Sequence, residues 1–174
     1  MSLRALQPGL YLGIWFIPVI VLLQTGLVGH FAVDNIYPSI VLITVVDWGI
    51  LRGVEEGLIW ALLAGLVLDL FSGWPAGTNT VALVTVAFVV SLGEGTFMRT
   101  HALVPLGTVF GATILYYLVV FFILESTQTP VDWITGIESI ALPTALYNAV
   151  LNIPLFWLMR RLEQRVYPIP RTSW

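Results

Sequence analysis

Residues 55–77 read EEGLIWALLAGLVLDLFSGWPAG. From Glu55 to Phe71 the run is apolar except for its two opening carboxylates and Asp69, and it ends in the loop Ser72–Gly77. About 17 apolar residues is the short end of what crosses a bilayer as a helix. Within the run, Gly57, Ala61, Gly65 and Asp69 recur every fourth residue, and such a row shares one face of a helix. Small residues at this spacing let another helix approach closely, which is how helices associate where lipid supplies no hydrophobic drive. The row therefore predicts a helix packed among others in an apolar medium.

The rest of the chain agrees. Of 174 residues, 58% are hydrophobic and 10% charged, with seven Arg, no Lys and no Cys. A soluble domain averages roughly 45–50% apolar and about 25% charged, and a disordered chain is polar. Both classes are excluded, as are a disulfide framework and a cysteine nucleophile. What remains is an all-α integral membrane protein, one compact domain over residues 1–174.

Six spans are predicted, at about 10–28, 36–51, 55–71, 79–96, 102–124 and 137–159. Pro38 falls in the first turn of the second span, Asn79 is a side-chain cap for the fourth, and Pro143 and Pro154 are expected kinks in the sixth. The second, third and fourth spans are short, which shielding by neighbours or local bilayer thinning accommodates. Tight connections such as Arg52-Gly53-Val54 and Met98-Arg99-Thr100 make consecutive helices antiparallel neighbours. The first apolar run is too long for a signal h-region and no small-x-small site follows, so it reads as an uncleaved helix.

With both termini in the cytoplasm, Arg4, Arg52, Arg99, Arg160, Arg161, Arg165 and Arg171 all fall on the inner side. Asp34, Glu125, Asp132 and Glu138 fall on the outer side. The positive-inside rule is thereby met throughout, whereas five spans would move four C-terminal Arg outside.

Each intramembrane polar group has two readings. Asp69 either pins the Ser72–Gly77 turn near the outer surface or is a proton- or substrate-binding carboxylate; the turn is favoured, because no second charge lies at that depth. Asp47, about a turn from the inner end of its span, either pairs with Arg52 (or Arg99) or reaches cytoplasmic water. Asn148 and Asn152, four residues apart, read first as interhelical hydrogen-bond glue and second as a ligand site. Glu55 and Glu56 favour their helix N-terminus through its dipole. Trp15, Trp48, Trp60 and Trp157 toward the inner interface, with Trp74 and Trp133 toward the outer, read as an aromatic belt rather than a sugar-stacking site. His30 and His101 fall on opposite sides of the membrane, so no metal pair forms. No phosphate loop or catalytic triad is legible. No cofactor and no nucleic-acid partner are expected. The basic C-terminal tail suits anionic lipid.

The stretch Ala64–Gly77, with Asp69, Ser72-Gly73 and Gly77, resembles the G-x-x-x-D-L-x-S-G-x-x-x-G core of the MreD family of rod shape-determining proteins. Tyr37-Pro38-Ser39 through Trp48 resembles that family's Pro-led second helix, although Asp47 stands where an aromatic or small residue is usual. The resemblance implies a non-enzymatic inner-membrane component of the bacterial elongation complex. Its implied partner is the bitopic MreC, and through it MreB filaments, the RodA glycosyltransferase and a class B penicillin-binding protein. It also implies a fold similar to the substrate-binding subunits of energy-coupling-factor transporters. Gly65, Asp69, Gly73 and Gly77 are the matching positions most worth changing.

Two functions follow. The first is a scaffold whose lateral surface, with the Gly57-Ala61-Gly65 stripe, docks a partner's transmembrane helix. The second is an outward-facing small-molecule-binding subunit of a transporter, its mouth formed by residues 72–79 and the acidic loop between spans five and six. An intramembrane enzyme ranks last.

Overall fold

A computed structural model describes residues 7–27, 37–92, 103–127 and 129–167. Arg4, His30, Asp34, Glu94, Arg99, His101 and Arg171, with the adjoining ends of the first, second, fourth and fifth expected spans, lie outside the described residues. Those that are described form helices and no strand. These are α1 (Gln7–Leu27), α2 (Ile40–Arg52), α3 (Val54–Phe71), α4 (Thr78–Leu92), α5 (Leu103–Ser126) and α6 (Trp133–Val166).

The order of packing is set by α2. Every residue from Val41 to Ile50 is buried, because α1, α3, α4, α5 and α6 all pack against this one helix. Its 13 residues span about 20 Å at 1.5 Å each, well short of a bilayer core of about 30 Å. Such a short apolar helix is tolerated because it touches protein on every side. Ser39 starts it, its Oγ accepting the Leu42 N–H at 3.3 Å, so Pro38 precedes the helix instead of lying in its first turn.

A single residue, Gly53, joins α2 to α3 with φ of 92°, a left-handed conformation that glycine adopts without Cβ strain. Beyond it the two helices run back to back: a methyl at Gly57 would stand 3.0 Å from the Gly49 Cα. On the next face α3 meets α4 so closely that a Cβ at Gly65 would overlap the Thr80 backbone. Gly57, Ala61 and Gly65 are all buried. The helices they admit are α2 and α4 of the same chain, so the stripe is not a free lateral surface.

The sixth helix is longer than its expected 137–159 at both ends. Asp132 starts it early, its carboxylate accepting the Thr135 N–H and hydroxyl. At the other end the Arg160-Arg161 pair does not stop it, since neither residue opposes helical backbone. A π-helical turn, Ile137–Ala141, interrupts the helix immediately before Pro143. Pro143 has no N–H to give and its ring crowds the carbonyl four residues back. The wider i→i+5 turn, in which Leu142 N–H reaches Ile137 O, carries the chain past that point.

Among the described residues two helices, α5 and α6, are long and apolar enough to cross a membrane, and α1 and α4 hold shorter apolar runs. Large apolar side chains point outward around the bundle: Trp15 and Leu22 on α1, Leu62 and Leu66 on α3, Phe88 on α4, Leu146 and Val150 on α6. Surface of this kind is far beyond what a water-facing domain leaves uncovered.

Candidate functional site

Polar groups gather at the two ends of the bundle. At one end Asp69, in the last turn of α3, faces the start of α4. Its Oδ1 accepts the Asn79 backbone N–H and side-chain amide, both at 2.9 Å. Its Oδ2 accepts the Thr80 N–H at 3.1 Å and the Thr80 hydroxyl at 2.6 Å. Thus α4 is capped from another helix by a carboxylate, where its unpaired N–H groups and dipole favour negative charge. Asn79 is not the cap; its amide belongs to this cluster, and its Oδ1 accepts the Tyr116 hydroxyl. Gly77, at φ of 92°, makes the turn into α4, and Gly73 is exposed.

Beside this cluster lies a cavity of about 590 Å³ walled by the ends of α1 and α3, the start of α4, the middle of α5, the lead-in to α2, and the loop after α3. Its lining mixes aromatic rings, among them Tyr37, Trp74 and Tyr117, with uncharged polar groups such as Gln24, Ser39 and Asn79.

At the opposite end Glu56, 4% exposed, joins four segments. Its Oε2 accepts the Trp48 indole N–H at 3.1 Å. Its Oε1 accepts from Arg52 at 3.0 Å and from the Tyr167 hydroxyl at 3.0 Å. Tyr167 in turn accepts the Gly9 N–H at 2.9 Å. The Arg52 guanidinium stacks 3.5 Å above the Tyr167 ring and reaches Glu163 at 3.6 Å. Burial and then the Glu56 hydrogen bond hold the Tyr167 phenol above its ordinary range. Glu56 therefore does far more than favour a helix dipole. A signal was present in the sequence, since Arg52 and Glu56 are four residues apart, but only folding brings Tyr167 to them.

This arrangement corrects two expectations. Arg52 pairs with Glu56 and Glu163, not with Asp47. Asp47 instead is fully buried, and neither of its oxygens has a hydrogen-bond partner among the described residues. It stands within reach of Asn152, whose Nδ2 donates to the Pro105 carbonyl while its Oδ1 is also unpartnered. Trp48 and Trp60 are not interfacial: both are fully buried and stacked, ring centroids 4.2 Å apart. Their indole N–H groups are satisfied by Glu56 and by the Gly9 carbonyl, which lets two large rings enter the core. Trp15 and Trp157 do lie on the surface.

Asn148 bridges three helices, its Oδ1 accepting the Ser39 N–H at 2.9 Å and its amide donating to the Thr113 hydroxyl at 3.1 Å. One further feature escaped the sequence reading. Gly107 and Gly111, four apart on α5, are exposed, and a Cβ at either would meet no atom of the described residues within 4 Å. Their G-x-x-x-G spacing was legible; that they, and not Gly57 and Gly65, remain uncovered was not.

A helical bundle with an enclosed central helix and apolar side chains turned outward on its flanks is built for lipid, and it defines a membrane-associated helical protein. A family model described as rod shape-determining protein MreD matches residues 7–166, and the chain belongs to that family. Its members act in rod shape determination and are membrane-associated. No curated protein and no solved structure matches the chain.

Proposed function

We propose that this protein is a non-enzymatic scaffold of the bacterial rod complex, crossing the inner membrane six times with both termini in the cytoplasm. Its partner is MreC, and through MreC it supports peptidoglycan synthesis by RodA and a class B penicillin-binding protein and connects to MreB filaments. Charge placement supports the orientation: the described Arg52, Arg160, Arg161 and Arg165 gather at the Glu56 end, and no described Arg lies at the Asp69 end. That asymmetry is what the positive-inside rule requires of a cytoplasmic Glu56 end.

The observation that carries the docking proposal is the open Gly107–Gly111 face of α5. Small residues left uncovered on a lipid-facing helix permit the close backbone approach by which a second helix associates. The transmembrane helix of MreC is the occupant, and the shape-determining family supports that choice. Gly107→Leu and Gly111→Leu should lower co-purification with MreC while leaving helicity and thermal stability intact, because both sites are exposed. Unchanged co-purification of both variants removes α5 as the docking face. A fold similar to energy-coupling-factor substrate-binding subunits remains part of this proposal.

A further inference from the structure

The cavity at the Asp69 end has a chemistry that helix packing does not require. We infer that it is a binding site for an uncharged, hydroxyl-bearing ring, the chemistry of a glycosyl group. Its volume, about 590 Å³, lies in the range that encloses a small organic ligand. Among the described residues that line it there is no Arg, Lys, His, Asp or Glu. An ion entering would lose water without gaining a charged partner among these described residues, which is costly for either sign. Asp69, behind Asn79, is no exception, because four donors already occupy its two oxygens.

What the lining offers instead is neutral donors and acceptors. Gln24 Oε1 accepts the Val41 N–H at 2.9 Å, leaving the side-chain NH₂ as a donor. Ser39 and Ser72 add hydroxyl groups, the Ser72 Oγ having no hydrogen-bond partner among the described residues. A sugar hydroxyl both donates and accepts, so it matches this mixed set better than an acceptor-only or donor-only ligand does. The rings of Tyr37 and Trp74, half-exposed at 47% and 39%, supply electron-rich faces for the ring C–H groups. Trp74, taken from the sequence as a belt residue, is thus a wall of the cavity.

The test uses the full chain in phosphatidylcholine nanodiscs assembled with cholate, so that no sugar detergent is present. Glucosyl diacylglycerol is titrated in and binding is read by native mass spectrometry, with free maltose as competitor and phosphatidylglycerol as the anionic comparison. One saturable glucosyl diacylglycerol adduct is expected, weakened about three- to tenfold by Tyr37→Ala and by Gln24→Ala. Tyr37 lies outside the helices and is half-exposed, so its variant should fold. Competition by maltose assigns a free sugar, and its absence a lipid headgroup; either supports the site. No saturable adduct, equal binding of phosphatidylglycerol, or unchanged affinity in both variants overturns it.

Discussion

The Tyr167 hydroxyl donates to Glu56 Oε1 at 3.0 Å across 111 residues of chain. This bond ties the exit of α6 to the entry of α3, and Gly9 at the start of α1 joins through the same hydroxyl. Tyr167→Phe removes both hydrogen bonds but keeps the ring under Arg52, so a loss of about 1–3 kcal/mol is expected. Glu56→Ala should cost more, because it strands a buried indole N–H and leaves Arg52 with Glu163 as its remaining ion-pair partner. Thermal unfolding of the two variants in one detergent orders them; a Glu56→Ala protein as stable as wild type would contradict the network.

The same tyrosine gives a pH dependence. Burial, then the Glu56 bond, raises its phenol above the ordinary value of 10.0. A group whose folded value is raised adds stability below its unfolded value and loses it as pH climbs through the folded one. The melting-temperature gap between wild type and Tyr167→Phe should therefore be full at pH 8 and narrow above about pH 10. A gap that widens there has the wrong sign.

Asp69 offers four acceptor contacts through two oxygens. Asn at this position keeps one oxygen and turns an NH₂ against two Thr80 donors. Asp69→Asn is expected to lose about 1–2 kcal/mol, as a helix cap does, and Asp69→Ala more. Hydrogen exchange should show the loss first in the opening turn of α4; uniform exchange change along the chain would argue against a local cap.

Asp47 and Asn152 present unpartnered acceptors inside the bundle. Asp47→Asn places an amide donor where Asn152 Oδ1 lacks one, at nearly constant volume. Stability should hold or rise, by about 1 kcal/mol for a newly satisfied buried pair. A large fall in melting temperature would show that the carboxyl itself is needed there.

Gly65 distinguishes packing from docking. A methyl at this site overlaps the Thr80 backbone, so Gly65→Ala should lower thermal stability by about 1–3 kcal/mol whether or not a partner is present. Loss of MreC association with stability unchanged would instead return the stripe to the lateral surface.

The sequence alone determined what local pattern and composition can carry. An apolar chain with sparse charges predicts a bundle of lipid-class helices, and the described residues are largely helical. The Asp69-Ser72-Gly73-Gly77 core led to the family that the match over residues 7–166 shows. The sixth helix outruns its expected 137–159, because Asp132 caps it early and the backbone stays helical past Arg160-Arg161. What only the tertiary structure decided is which face of each helix is covered. Periodicity says that Gly57, Gly65, Gly107 and Gly111 sit on helix faces, but not which faces meet. That α2 lies at the centre, that Tyr167 joins Glu56 and Arg52, and that the Trp60 indole meets the Gly9 carbonyl all follow from long-range packing. Contacts between residues 50 or 100 positions apart leave no local period, so no reading along the chain reveals them.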